Sequence, residues 1–109
     1  MADIEDFKKL EIRVGKINNA ELLPNPKYTT HKLSIDFGPE IGTKISGARL
    51  PDYGLDELRG KQVVCVINFP PRQIGALESE VLTLGLPDEN KECVLISPDK
   101  EVPLGGRLY

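Results

Sequence analysis

The sequence contains few of the residues that mark metal-dependent or redox proteins. Among its 109 residues there are one histidine, two cysteines, one methionine and no tryptophan. A metal site needs clustered Cys and His ligands, and no CxxC pair is present, so we expect no metal. Cys65 and Cys93 each lie in an apolar run. We therefore expect both to be reduced residues of the core.

Long hydrophobic runs are also absent. No segment approaches the about 18 to 20 consecutive apolar residues that a membrane span requires, so we expect no membrane insertion. The first six residues, MADIED, carry acids where a secretory signal would carry Lys or Arg. These observations predict a cytoplasmic protein.

The chain has no excess of positive charge. Its 14 Lys and Arg residues are outnumbered by 17 Asp and Glu residues, and the formal net charge is -3. This balance excludes a strongly basic nucleic-acid binder. Residues 1–50 nevertheless carry a net charge of +1 and residues 51–109 one of -4. An anion-binding surface is thus expected from the first half, unless the asymmetry belongs only to the solvated surface.

Ten glycines and nine prolines separate short apolar segments, a pattern typical of an all-β barrel or sandwich. No internal repeat or low-complexity linker is present, so we expect one domain over residues 1–109. At the start, Ile4, Phe7 and Leu10 fall on one side of a short helix, with Asp3 as its N-cap. A loss of apolar alternation near residue 15 predicts a β-bulge in the first strand.

The order of the elements that follow matches an OB-fold, a five-stranded β-barrel with a short helix between strands 3 and 4. The short N-terminal helix and an extra C-terminal strand would be additions to it, and the apolar tail over residues 102–109 is expected to dock. A plain β-sandwich is the competing architecture. In chain order the pattern predicts strands from residue 12, over 32–37 and over 43–50, a helix over 55–60, and strands over 63–67, 79–86 and 92–97.

No arrangement of residues indicates catalysis. His31, Ser34 and Asp36 can be written as a triad, but on a strand His31 faces the side opposite to the other two. Neither a nucleophile elbow, nor a phosphate-binding loop, nor a pair of clustered acids is present. We interpret His31 as a surface residue beside a turn, and we expect neither an enzyme nor a cofactor.

Several segments resemble a known family. IRVGKI at residues 12–17 and ISGA at residues 45–48 resemble strands of the tRNA-binding OB domains appended to methionyl- and tyrosyl-tRNA synthetases. NFPPRQIG at residues 68–75 and SEVL at residues 79–82 are closer to one branch, the CsaA chaperones linked to protein export and secretion. The resemblance covers nearly the whole chain. It implies an OB-fold homodimer that binds unfolded or export-bound precursor polypeptides, with tRNA binding as the alternative.

Two positions depart from the family patterns. Val81 and Leu82 stand where the synthetase domains usually have Gly and Met, and residues 46–49 read SGAR where CsaA proteins commonly have a Ser-Ala-Gln run.

The NFPP segment is the candidate for polypeptide binding. Its prolines cannot continue a strand ladder, so the loop must carry its apolar side chains away from the sheet, unless they pack in the core or in a dimer seam. The predicted peptide-binding residues are Phe69, Pro70, Pro71, Ile74 and Tyr53.

An RNA site would need a basic groove and flat groups on which bases stack. The candidates include only one tyrosine, and the 17 acids predict weak, salt-sensitive binding. The resemblance adds a serine hydroxyl as a hydrogen-bonding partner. The predicted RNA-binding residues are Lys27, Tyr28, His31, Lys32, Lys44, Arg49, Arg72 and Ser79.

A homodimer would double the number of binding sites. We expect its seam at the tail, the N-terminal helix and the strand around Cys65.

Overall fold

The computed structural model describes residues 1–24 and 28–109. The order of its first six elements agrees with the sequence pattern, through the helix and the strand that follow the third strand. No helix of the described residues is long and apolar enough to cross a membrane. The elements are α1 (Ile4–Lys8), β1 (Ile12–Leu22), β2 (His31–Asp36), β3 (Thr43–Ala48), α2 (Leu55–Leu58), β4 (Gln62–Val66), β5 (Arg72–Ile74), β6 (Leu77–Ser79), β7 (Leu82–Thr83), β8 (Gly85–Pro87) and β9 (Cys93–Leu95).

A five-stranded antiparallel sheet forms the barrel, in the strand order β3-β2-β1-β4-β7. Strand β1 is 11 residues long. Its first half pairs with β4 and its second half with β2, so one bent strand serves two sides of the barrel. The hairpins β5–β6 and β8–β9 form two further small sheets. This architecture confirms the predicted all-β OB-fold.

The bulge predicted next to Gly15 lies three residues further along the chain. The register of β1 against β2 shifts between Ile17 and Asn19. Gly15 has a different role, because a Cβ at this position would lie 2.5 Å from the Ile35 side chain and 2.8 Å from the Phe37 ring. Because Gly15 has no side chain, β1 can pass close to the core. The loss of apolar alternation near residue 15 therefore reflects both this close approach and the bulge between Ile17 and Asn19.

The core fills the inside of the barrel. Leu33 and Phe37 are almost completely buried, and Leu58 of the short helix α2 packs with them in the same core. Burial of each such side chain contributes roughly 1.5 to 3 kcal/mol. Both cysteines are free thiols, but only Cys65 is a buried core residue as predicted, whereas Cys93 is half-buried and packs against the core from β9. Desolvation raises the pKa of Cys65 to about 11, so it is an inert thiol of the core.

The C-terminal tail docks on β1 as an extended segment. Gly105 N donates to Val14 O at 2.8 Å, and Val14 N donates to Gly106 O at 3.0 Å. Leu108 N donates to Ile12 O at 2.8 Å. The tail therefore pairs with the part of β1 that β2 does not reach, and the predicted docking is confirmed.

Candidate functional site

The NFPP segment leads into the hairpin β5–β6, which the sequence analysis did not predict as strands. The hairpin turns at Gly75, whose φ of 59° favours glycine. It packs against β3 at Gly47, where a Cβ would lie 3.0 Å from Ile74 and 3.0 Å from Leu77. Gly47, one of the departures from the CsaA pattern, thus permits close packing of the hairpin on the barrel.

One cavity lies on the side of the hairpin that faces β7, and we call it the Phe69 pocket. It brings together two residues of the predicted peptide set, Phe69 and Pro70, and two of the predicted RNA set, Arg72 and Ser79. Phe69 is 44% exposed, and Pro71, two residues further along, is exposed as well. The Phe69 pocket has a volume of about 270 Å³. Its lining consists of Gly47, Phe69, Pro70, Arg72, Ser79, Glu80, Val81 and Leu82.

A second cavity, the Tyr28 pocket, lies at the tip of the hairpin. Ile74 and Tyr28, which were predicted for different ligands, both line it. Tyr28 is 79% exposed and Ile74 is half-buried. Lys27 lies outside the described residues. The volume is about 400 Å³, and the lining consists of Leu23, Pro24, Tyr28, Thr29, Ile74, Gly75, Ala76 and Leu77. The two pockets together form what we call the hairpin surface.

Asn68, the first residue of the NFPP segment, anchors the chain that leads into the hairpin β5–β6. Its side-chain oxygen accepts from Glu11 N at 2.9 Å, and its side-chain nitrogen donates to Lys9 O at 2.8 Å. These bonds tie the chain before Phe69 to the link between α1 and β1. The sequence analysis missed this role, although an amide side chain is suited to bond both a backbone donor and a backbone acceptor.

Ser79 lines the Phe69 pocket, but its hydroxyl is engaged within the protein. The Oγ atom accepts from Gly47 N at 3.0 Å and donates to Val81 O at 3.1 Å. The residue is only 7% exposed. Its proton is therefore committed to the backbone, and Ser79 serves here as part of the pocket wall.

His31 is not a surface residue, so that interpretation is wrong. It is 2% exposed and lies on the same face of β2 as Leu33 and Ile35. Its Nδ1 is 2.7 Å from Thr30 Oγ1, and burial lowers the pKa of its ring. A buried, neutral imidazole is not placed to contact RNA.

The outer face of β1 and β2 carries balanced charge. Lys32 stands opposite Glu21, and Lys16 stands opposite Asp36. Cross-strand neighbours of opposite sign attract each other and cancel much of the field that a phosphate chain would need. This face of the first half is therefore not the basic surface that its net charge suggested.

Two other predicted cations are also unfavourably placed for RNA. Arg49 forms a two-bond ion pair with Glu92, with Nε to Oε2 at 3.2 Å and Nη2 to Oε1 at 3.1 Å. Lys44 is half-buried and pairs with Ile35, at the end of β3 away from Gly47. Within the described residues, Arg72 makes no ion pair, and it is exposed beside the Phe69 pocket.

Tyr53 lies apart from the other predicted peptide-binding residues. It is half-buried against the core, and its hydroxyl accepts from Leu95 N at 3.1 Å. The Nζ atom of Lys61 lies 6.0 Å from the centre of its ring. Tyr53 therefore stabilises the contact between the loop before α2 and β9.

A separate apolar area lies where the tail crosses β1 and meets α1, and we call it the terminal surface. It contains two cavities, of about 440 Å³ and about 510 Å³. Ile4 is 63% exposed and Leu108 is 45% exposed. The terminal surface includes residues of all three regions where a dimer seam is expected, the tail, the N-terminal helix and the strand around Cys65. That strand contributes Val64. Its apolar lining consists of Ile4, Phe7, Ile12, Val14, Val64, Ile96, Pro98, Val102, Pro103, Leu108 and Tyr109.

No group of three or more His, Cys, Asp or Glu side chains in residues 1–24 and 28–109 is arranged to hold a metal ion. The pockets instead combine apolar side chains with a few polar groups, which suits reversible binding of a flexible ligand.

Known proteins share this structure closely. The crystal structure of the chaperone CsaA from Bacillus anthracis str. Ames has a TM-score of 0.92 and 39% sequence identity, and the match covers 100% of this chain and 99% of that one. The CsaA chaperone protein from Picrophilus torridus has a TM-score of 0.91 and 38% identity, with 100% of both chains covered.

The sequence is also similar to a much longer enzyme. It is 36% identical over 105 residues to the methionine–tRNA ligase of Methanococcus aeolicus, a match that covers 96% of this chain but spans only 15% of the ligase. The family model described as "Putative tRNA binding domain" matches residues 12–107. The chain thus belongs to the tRNA-binding domain family, and within it the CsaA chaperones are its structural neighbours, as the NFPP and SEVL segments indicated.

Proposed function

We propose that this protein is a CsaA-like chaperone without catalytic activity, which binds unfolded or export-bound polypeptides at the hairpin surface. The observation that carries the proposal is the exposure of Phe69 in the segment that is anchored at Asn68 and leads into a hairpin packed against the barrel. A chaperone needs an accessible apolar surface with a polar rim, so that it accepts many sequences and stays soluble. Arg72 and Glu80 supply that rim.

The proposed molecule is a homodimer that pairs through the terminal surface. Large apolar side chains remain exposed there, and contact with a second copy would bury them. Two copies would present two hairpin surfaces to one extended client, which raises avidity without a stronger single contact. We propose that residues 1–109 act in the cytoplasm as one domain and need no cofactor.

Binding of tRNA is the second candidate function, and the family match supports it. The exposed Tyr28 and Arg72 offer a stacking group and a cation on the hairpin surface. The buried His31 and the paired Arg49 reduce the predicted RNA set. We therefore favour polypeptide binding over tRNA binding, and we expect the affinity for tRNA to fall steeply with salt.

A parallel titration separates the two functions. Fluorescently labelled tRNA and a labelled, reduced and carboxymethylated client protein are each titrated with the full chain, and anisotropy is read at low and near-physiological salt. We expect saturable client binding that changes little with salt and tRNA binding only at low salt. Saturable tRNA binding at physiological salt without client binding would reject the chaperone proposal.

A further inference from the structure

Strand β3 is the outermost strand of the five-stranded sheet, so one of its edges has no strand partner in the described sheet. On that edge, Ile45 N donates to the Oε1 atom of Glu80 at 2.9 Å, and Glu80 N donates back to Ile45 O at 2.8 Å. Glu80 thus bonds both the backbone N–H and the backbone C=O of Ile45. A side-chain carboxylate takes the position that a carbonyl of a paired strand would occupy.

A second contact lies two residues along the same edge. There the Ser79 hydroxyl accepts from Gly47 N at 3.0 Å. Ser79 is the last residue of β6, and Glu80 follows it directly. The end of the hairpin is therefore attached to β3 by two side chains as well as by backbone bonds from Glu80 N and Val81 N to Ile45 O. Without the two side chains, two backbone N–H groups of β3 would lose their partners.

We infer that Glu80 is a positioning residue of the hairpin surface: its carboxylate fastens the end of β6 to β3 and thereby fixes the wall of the Phe69 pocket. Glu80 is half-buried and lines that pocket. A bond from N–H to a carboxylate is about twice as strong as one between neutral groups, so Glu80 makes the stronger of the two side-chain attachments. Only the expected effect on ligand binding rests on the proposed function, because the attachment itself is a property of the fold.

The test uses three substitutions in the full chain. Glu80→Ala removes the acceptor, Glu80→Gln keeps an oxygen in the same place, and Glu80→Asp keeps the charge but shortens the reach by one methylene. Glu78→Ala is the matched control, because it removes one exposed carboxylate from the same hairpin. Amide hydrogen exchange by NMR follows Ile45 and the hairpin amides, and anisotropy follows binding of the labelled client.

In Glu80→Ala we expect exchange at Ile45 to accelerate at least about tenfold, with faster exchange across the hairpin. Client affinity should fall about fivefold. Glu80→Gln should lose less than Glu80→Ala, because it keeps an acceptor but not the charge, and Glu78→Ala should stay close to the unsubstituted protein. Should Glu80→Ala fail to fold, Glu80→Asp replaces it in the same comparison.

Unchanged exchange in the hairpin, or a loss in Glu80→Gln as large as in Glu80→Ala, would overturn the inference. Faster exchange combined with unchanged client affinity would overturn the positioning role. If the unsubstituted protein binds no client, the proposed chaperone function fails, and hairpin exchange alone then decides whether Glu80 fastens it.

Discussion

The terminal surface and the hairpin surface are both apolar, but they differ in how their polar groups are used. At the terminal surface the arginines are already bonded: Arg13 Nη1 donates to Gly105 O at 3.0 Å, and Arg107 Nη2 donates to Lys8 O at 2.9 Å. At the hairpin surface, Arg72 is exposed and makes no ion pair within the described residues. The first surface suits a permanent apolar partner, and the second suits a transient ligand that supplies its own polar groups.

The two surfaces also differ in how they are built. The terminal surface depends on contacts between the two ends of the chain, such as Leu108 N to Ile12 O. The hairpin of the other surface is local in sequence, since β5 and β6 are separated by only a tight turn at Gly75, although its pockets are completed by residues such as Tyr28 and Gly47. Asn68 connects the two, because it bonds the link between α1 and β1 and precedes Phe69. A substitution in one surface can therefore be tested for its effect on the other.

The largest effect is expected from a charge at the terminal surface. Leu108→Asp would place a carboxylate in the proposed apolar seam, where contact with a second copy would desolvate it. We expect the dissociation constant of the dimer to rise at least about 100-fold. Light scattering at micromolar concentration would show the shift from dimer to monomer.

Leu86→Asp is the matched control, because Leu86 is 62% exposed on β8 and lines neither surface. It should leave the dimer intact. A monomeric mass for the unsubstituted protein would reject the seam outright, and an unchanged dimer in Leu108→Asp would move it elsewhere.

The next largest effect is expected at the tip of the hairpin. Ile74→Asp would place a charge between the Tyr28 pocket and Gly47, where an apolar client side chain is expected to bind. Loss of one apolar contact of this size corresponds to about 1.5 to 3 kcal/mol, so client affinity should fall at least about tenfold. Anisotropy measures the affinity, and circular dichroism verifies the fold.

Dimerisation should be unaffected by Ile74→Asp. If client affinity is unchanged, the tip of the hairpin is not part of the site. If client binding is lost together with the dimer, the two surfaces are not separable in the way proposed here.

A smaller effect separates the two candidate ligands of the hairpin surface. Arg72→Ala removes its unpaired cation, and for tRNA the slope of log affinity against log salt should flatten by about one unit. Client affinity should change by less than about twofold, because an exposed cation contributes little to apolar binding. Arg59→Ala, which removes an arginine paired with Asp56 on α2, is the control of equal charge. Equal slopes for both variants would exclude Arg72 from any phosphate contact.

Much of the barrel was predictable because alternation and turn residues are local signals. The helix over Leu55–Leu58 and the reduced state of Cys65 followed from spacing and from apolar neighbours. The hairpin β5–β6 was missed because its two strands have only three residues each, too few to show a period. Its existence depends instead on packing against Gly47, which is distant in sequence.

The site was predicted less well because surface charge was counted without regard to pairing. His31 shares the parity of Leu33 and Ile35, so the alternation in β2 already indicated that it is buried. The pairing of Arg49 with Glu92 joins residues 43 positions apart, and no local pattern indicates it. Both errors made the first half of the chain look more basic than its accessible surface is.

The smallest expected effect tests that last pairing directly. Glu92→Gln would release Arg49, so that an exposed guanidinium becomes available to phosphate. Exposed ion pairs contribute about 0.2 to 1 kcal/mol, so we expect tRNA affinity at low salt to rise about two- to threefold and client affinity to stay unchanged. The matched control is Glu89→Gln, which removes the same charge from an exposed neighbour that does not pair with Arg49. An equal gain in both variants would attribute the effect to net charge, whereas a gain in Glu92→Gln alone would show that an internal carboxylate, and not the lack of cations, limits RNA binding by this barrel.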